Sequence, residues 1–515
     1  MDSEQRFLLA FDAGGTTIRA IIYKEDGDEL ARAFRTTSEI RSEQGAVEHD
    51  PEELFQALLA AGREVLSKAA IPPEKIAGAG ITVQRATFCL WDKKSGKPQC
   101  NFISWSDVRA GDKAFKMNRS CIWNGMKIAA AVGGFITRSP MLTATGMLSF
   151  VTDHVLVRLC WLFEQRPDLR QAAKRGDLLF GTIETWFLYR LTGNRVHATD
   201  TSNAAATSLY NPFEMKWNAI FCRLFSIPMR MLPEVKNSAD QFGFTDPSCF
   251  GAPIPITALI GDQMAALFGH GCFTPGDVKI SQGSGSFVDI NVGRRGKVSR
   301  RGLFPLIAWT LRGKPVYMLE GSVATAGRLI DWLGNGIGLS DTPAVLNDFA
   351  SQCDDTEGVV FVPTAAGIRF PYFNPKARGT IFGLSLSTHR RHVARAVLEG
   401  IAHRVVDILE GIEKDTGMSI RRIKVDGGVS RSNVLLQAIA DLSGHEVERP
   451  DETDMTARGT AALAGLGAAV WKDVEELGSM ARSYEHFHPR FDHNQRREKR
   501  RRWNEALNTL VKFYH

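Results

Sequence analysis

The chain has 515 residues, 44% of them hydrophobic and 23% charged, with 47 Gly, 21 Pro and a formal net charge of +6. This composition excludes a disordered or collagen-like chain, and at roughly 150 residues per domain the length predicts two or more domains with real cores. Eight scattered cysteines without a C-x-x-C pair exclude a disulfide framework and a zinc-ligand pattern, and they suit a reducing, cytoplasmic setting.

Residues 7–11 predict a buried strand, but Asp12 cuts this apolar run too short for a signal peptide. The turn Asp12-Ala-Gly-Gly-Thr-Thr17 and a returning strand over residues 19–24 complete a hairpin. Asp50 and Pro51, with Glu52 and Glu53 behind them, open a helix through Ala69 that carries Leu54, Leu58, Ala61 and Val65 on one face. A further apolar strand leads to Gln84-Arg85-Ala86.

Gly251-Ala-Pro-Ile-Pro-Ile256 punctuates the chain, so domains are expected at 1–255 and 256–515. The second half repeats the first motif: a strand from Asp277, the turn Gln282-Gly-Ser-Gly-Ser286 and a second strand to Asn291. A helix over residues 392–413 follows, then a strand at 423–425, the glycine turn beginning at Asp426 and a helix over 434–442. Residues 459–471 are apolar but shorter than the roughly 20 residues that span a bilayer, so a core helix and no membrane span are expected. Strands alternating with helices in two similar halves predict an α/β class with internal duplication.

The turn after Asp12 can bring backbone N–H groups against phosphate oxygens, because glycine has no Cβ to block the approach. Asp12 would then face a phosphate-bound Mg²⁺, most simply through water. A tight hairpin that merely needs glycine would read the same way. The turn around Ser284 is a second of this kind, and two such turns opposed across a cleft would clamp a polyphosphate. Gly428 lies in a strand-to-helix junction suited to the adenosine end of a nucleotide, although an ordinary βα loop looks alike. Asp262, ahead of an apolar helix, reads equally as an N-cap and as the carboxylate that accepts a hydroxyl proton in phosphoryl transfer. Arg85 offers a forked donor to hydroxyl or phosphate oxygens.

Gly379-Thr-Ile-Phe-Gly-Leu384, followed after seven residues by His392-Val-Ala-Arg-Ala-Val-Leu-Glu399, resembles the second signature of the FGGY carbohydrate kinases. Phe180-Gly-Thr-Ile-Glu-Thr-Trp186, His197-Ala-Thr-Asp-Thr-Ser-Asn203 and Gly261-Asp-Gln263 resemble phrases of its glycerol kinase branch, and Gln84-Arg-Ala-Thr-Phe88 is similar to a divergent animal group within it. The resemblance implies two actin/hexokinase-like (ribonuclease H-like) ATPase domains around a cleft, ATP and Mg²⁺ as cofactors, and phosphorylation of glycerol to sn-glycerol 3-phosphate. It makes Asp262 the general base and sets Arg85 and Gln263 on the acceptor. It places Thr16, Thr17, Arg19, Ser284, Gly327 and Gly428 beside the nucleotide. Ala86 stands where glycerol kinases carry an acid, which leaves two alternatives open: another polyol or ketose as acceptor, or a catalytically weak nucleotide-binding regulator. Homo-oligomerisation is left open.

Arg496, Arg497, Lys499, Arg500, Arg501 and Arg502, offset by Glu498, contribute +5 of the net +6. The charge is therefore local, and a solvated helix face is expected there rather than a nucleic-acid surface. Phe487-His-Pro489 and Trp503-Asn-Glu-Ala506 resemble the start and finish of the family's last helix.

Overall fold

The computed structural model describes residues 5–323, 325–339, 342–452, 454–478 and 483–514. The N-terminal half begins with β1 (Phe7–Ala13), β2 (Thr17–Lys24) and β3 (Glu29–Thr36), antiparallel in sequence, with Asp12 opposite Arg19 in the register. Helix α1 (Pro51–Ala69) starts where Asp50 accepts the amides of Glu52 and Glu53, and it buries Leu54, Leu58, Ala61 and Val65. It is followed by β4 (Ile76–Val83), parallel to β1, and by a helical hairpin of α2 (Cys121–Thr137) and α3 (Pro140–Met147). After α4 (Ile183–Leu191) the chain enters β5 (Ala239–Phe244), β6 (Pro255–Gly261) and α5 (Asp262–Gly269). Gly251 and Pro253 of the Pro-rich punctuation are exposed, while Ile254 and Ile256 are fully buried and lead the chain into β6.

The C-terminal half repeats the plan with β7 (Asp277–Gln282), β8 (Ser286–Gly293), β9 (Phe304–Leu311), β10 (Lys314–Val323) and α6 (Gly327–Asn335). The long helix α7 (Arg390–Thr416), β11 (Arg422–Asp426), α8 (Asn433–Ser443), β12 (Val447–Pro450), α9 (Met455–Gly467), β13 (Tyr484–Phe487) and α10 (His493–Phe513) complete it. The strands form one 13-stranded sheet in the order β13-β12-β11-β7-β8-β10-β9-β5-β6-β4-β1-β2-β3, and the bridge Ala239↔Leu311 joins the halves.

One core lies between α1 and its strands, with Leu9, Phe11, Leu58 and Ile81. Another lies between α7 and its strands, with Ile280, Val397, Ile401 and Val405. Between them α9 crosses α5 backbone to backbone. A Cβ on Gly459 would lie 1.9 Å from the Ala265 carbonyl oxygen, and one on Gly269 would lie 2.0 Å from that of Met455. All eight cysteines are free, and among the described residues no helix is long and apolar enough to cross a membrane.

The basic run leaves Arg497, Arg501 and Arg502 exposed, as expected of a solvated face, and departs from it at Arg500. Arg500 is buried and pairs with Asp407 at 2.7 Å and Glu410 at 3.0 Å, while Trp503 stacks on His403 at 4.7 Å. The run thus clamps α10 to α7. Residues 487–489 are the end of β13 and the loop beyond it, not a helix start; the Asp492 cap with Gln495 begins α10, which continues past Ala506 to Phe513.

Glu184 at the start of α4 is wholly buried, and hydroxyls of Thr182, Thr185 and Thr199 all donate to its Oε1. Its Oε2 has no partner, and burial pushes its pKa above the ordinary 4.5 against the pull of those hydroxyls. The folded state therefore holds this proton more tightly than the unfolded chain. Stability from this group is greatest below pH 4.5 and declines as pH rises through the folded-state value. Glu184→Gln is expected to raise Tm by about 3 °C at pH 7 and to change it little near pH 4, as read by thermal melts across that range.

Candidate active site

The hairpin turn of β1 and β2 falls at Gly14, Gly15 and Thr16, so Thr17 is the first residue of β2 rather than part of the turn. Thr16 and Arg19 are exposed, and a Cβ on Gly15 would meet Gln84 Oε1 at 3.4 Å, an ordinary contact, so packing does not require glycine there. Asp12 is buried, and its Oδ2 takes a 3.2 Å contact from Arg19. Burial raises its pKa from 3.8 to about 6; Arg19 opposes the rise, and the charges of Asp262 and Asp454 add to it. A carboxylate short of positive charge beside two others fits a divalent cation. Among the described residues no group of three or more His, Cys, Asp or Glu forms a cation cage. Mg²⁺ is commonly held by one or two carboxylates, phosphate oxygens and water, so Asp12 fits it without such a cage.

Adjacent parallel strand ends bring Arg85 and Asp262 together. Val83 at the end of β4 is opposite Gly261 at the end of β6, so Arg85 and Asp262 emerge side by side, with Arg85 Nε 3.2 Å from Asp262 Oδ1. Gly261 is required here, because a Cβ would lie 2.7 Å from Arg85 Cγ. Asp262 is not the N-cap of α5; Gly261 is, and the Asp262 carboxylate instead accepts the Gln263 amide at 2.8 Å. Its Oδ2 has no partner among the described residues. The other end of Arg85 is bound by Glu320 Oε2 at 2.6 Å. Burial alone would lower the Arg85 pKa, but Glu320, Asp262 and Asp289 more than reverse this and raise it.

Gln263 is oriented from behind. Lys279 Nζ donates to Gln263 Oε1 at 2.6 Å, to Ser281 Oγ at 3.0 Å and to Asp289 Oδ2 at 2.7 Å. An ammonium has no acceptor, so the amide oxygen of Gln263 must face it and the NH₂ is left to donate elsewhere. Lys279 and Asp289 are both fully buried, and burial pushes the Asp289 carboxyl up against the pull of Lys279. The apolar side of this region is Trp105, whose ring meets Phe287 edge-on at 6.5 Å. Arg369 joins the halves at its rim, bonding Asp153 at 3.1 Å and Ser322 at 3.2 Å.

The second turn is built on backbone. The amide of Gly327 donates to Gly283 O at 2.9 Å, and those of Ala326 and Arg328 donate to Ser284 O at 3.1 and 3.2 Å. A Cβ on Gly327 would lie 2.7 Å from Gly283 O, which explains the glycine. Gly427 has φ of 89° and fits against Gln282 O, where a Cβ would lie at 2.5 Å, while the space around Gly428 is open. Asp426 accepts Ser281 Oγ at 2.6 Å and His270 Nε2 at 3.0 Å. Burial would raise the Asp426 pKa, but His270, Lys279 and Ser281 together lower it. Ser432 caps α8 through the Leu435 amide and donates to Asn347 Oδ1 at 2.7 Å.

The structure therefore gathers Arg85, Asp262 and Gln263 with Asp12 nearby, and it sets Gly327 and Gly427 onto the Ser284 turn. Sequence reading missed Glu320, Lys279, Phe287 and Arg369. The available signal for two of them was a charge inside an otherwise apolar strand, Glu320 in β10 and Lys279 in β7.

Comparison with known proteins agrees with this arrangement. Residues 7–269 match the N-terminal domain and residues 278–468 the C-terminal domain of the FGGY family of carbohydrate kinases. The chain is 38% identical over 486 residues to glycerol kinase 5 of Danio rerio, covering 94% of this chain and 92% of that one. It is 37% identical over 508 residues to glycerol kinase of Thermoanaerobacter sp., covering 99% of each. Among solved structures it superposes on Plasmodium falciparum glycerol kinase with ADP at a TM-score of 0.89 and 29% identity, covering 98% of both chains. Gluconate kinase from Lactobacillus acidophilus, at 20% identity and a TM-score of 0.85 over 99% of both, shares the fold. The repeated α/β halves, the paired glycine turns and these matches together place the chain in the FGGY family of carbohydrate kinases, as a phosphotransferase with an alcohol acceptor and the two-domain actin/hexokinase-like fold.

Proposed function

We propose that the protein phosphorylates glycerol from ATP, giving sn-glycerol 3-phosphate, with lobes 1–255 and 256–515 enclosing the reactants. The observation that carries this reading is the Asp262 carboxylate: one oxygen is tied to Arg85 and the Gln263 amide, and the other is unpartnered beside the Asp12 turn. Arg85 and the Gln263 NH₂ orient acceptor hydroxyls, and Trp105 and Phe287 cover the carbon side. Asp262 Oδ2 takes the proton of the attacking hydroxyl as its oxygen bonds to the γ-phosphorus and the bond to the ADP oxygen breaks. The turn from Gly14 to Thr16, with Thr17 at its edge, and the turn at Ser284 supply backbone donors to the phosphates, with Arg19, Gly327 and Gly428 flanking the nucleotide. Asp12 would hold Mg²⁺, which would supply charge neutralisation on the phosphate oxygens.

Ala86 favours a second reading, in which the acceptor is another polyol or a ketose. Ala86 brings no carboxylate to the acceptor; those beside Arg85 come from Asp262 and Glu320. An ADP-release assay with glycerol, with a panel of sugars and polyols, and with no acceptor separates the cases. The expected outcome is glycerol-dependent turnover exceeding that with any sugar by at least about tenfold, which needs roughly 1.4 kcal/mol of discrimination. Turnover with a sugar alone selects the second reading, and acceptor-independent nucleotide binding without turnover selects a regulatory role.

A further inference from the structure

The hairpin of α2 and α3 is built inside out. Small residues fill the contact between its two helices: a Cβ on Gly134 would lie 2.8 Å from the Thr143 amide, and one on Gly146 would lie 2.8 Å from the amide of Ala131. The large residues point away from the protein. Phe135 is 88% and Ile136 73% exposed, and Ile122, Ile128 and Val132 are exposed along the same helix. Helix α2 has 17 residues and a single charge, Lys127. It is fastened at its start by Trp123, buried against Phe150 and Phe221, so the apolar face is held rigidly outward. Small residues between helices and large ones outside is the arrangement found where the surroundings are lipid.

Charge identifies the occupant. No acidic residue occurs between Asp112 and Asp153, whereas Lys113, Lys116, Arg119, Lys127 and Arg138 do. Lys113 pairs with Glu164, and the other four have no carboxylate partner among the described residues. A two-fold contact with a second copy would set these cations against themselves, and an acidic protein groove would not call for so wide an apolar face. An anionic bilayer surface satisfies both at once, with rings and aliphatic chains entering at the headgroup level and cations meeting lipid phosphates. No helix of the described residues spans a bilayer, so the attachment is to one face of the membrane.

We propose that the α2–α3 hairpin docks the protein onto anionic lipid bilayers through Phe135, Ile136, Ile128 and Val132, flanked by Lys127 and Arg138. The test is vesicle flotation of the full chain with phosphatidylcholine alone and with about 30% phosphatidylserine. Flotation with the anionic vesicles is expected, weakened by high salt. The double variant Phe135→Ser, Ile136→Ser should lose it by roughly tenfold or more, and Lys127→Gln, Arg138→Gln should lose it severalfold on anionic vesicles only. Both variants should retain the wild-type circular dichroism and ADP-release rate, since they lie outside the acceptor and nucleotide sites. Absence of flotation, or flotation unchanged in Phe135→Ser, Ile136→Ser, overturns the proposal. A lipid-free dimer that this variant dissolves, without vesicle binding by the wild type, also overturns it and assigns the face to a second copy.

Discussion

Asp262→Asn is expected to lower acceptor-dependent kcat by roughly 10³-fold while leaving ADP affinity nearly unchanged. The substitution keeps the shape of the side chain and leaves an oxygen to accept from Arg85 Nε and the Gln263 amide. What it removes is the group that takes the hydroxyl proton. Steady-state ADP release gives kcat, and calorimetric titration with ADP reports whether the cleft still binds nucleotide. Turnover within tenfold of wild type would show that Asp262 is not the base. A parallel loss of ADP affinity would mean that the substitution had disturbed the fold.

The other large effect is expected at Lys279. Its ammonium is fully buried between Asp289, Ser281 and Gln263, and Asp289 Oδ1 already has no partner. Lys279→Met leaves the Asp289 carboxylate buried without the cation bonded to it, an arrangement that costs about 3–5 kcal/mol. Chemical denaturation should show this loss. Adding Asp289→Leu removes the stranded charge and should recover most of the stability. It should not restore acceptor KM, because nothing then fixes the Gln263 oxygen and frees its NH₂ for the acceptor. If stability and KM recover together, Lys279 serves the fold alone.

Much of the architecture was legible because its signals are local. Asp50 with Pro51, Glu52 and Glu53 marks the start of α1, and the spacing of Leu54, Leu58 and Val65 gives its buried face; the structure has both. The strand, glycine turn and helix around Gly427 were equally plain. The failures concern partners remote in sequence. Glu320 lies 235 residues from Arg85, and no periodicity in β10 reveals where a carboxylate at that position will point. Arg500 sits in a run that looks like a solvated face, yet Asp407 and Glu410 on another helix draw it inside. Asp262 has the residue type of a cap, but Gly261 takes that place because the stem of Arg85 fills the space a larger cap would need. The hairpin of α2 and α3 left a composition signal, an acid-free apolar stretch, whose meaning depends on which side of each helix faces out.

The two walls of the cleft are made of different material. On the side of the proposed nucleotide site the contacts among Gly283, Ser284, Gly327 and Gly427 run through main-chain atoms, and a Cβ on Gly327 or Gly427 would meet backbone at 2.7 or 2.5 Å. On the acceptor side they run through the tips of Arg85, Asp262, Glu320, Gln263 and Lys279. Point mutation can rewrite the second wall one side chain at a time, whereas any side chain at Gly327 or Gly427 must displace the backbone of the first.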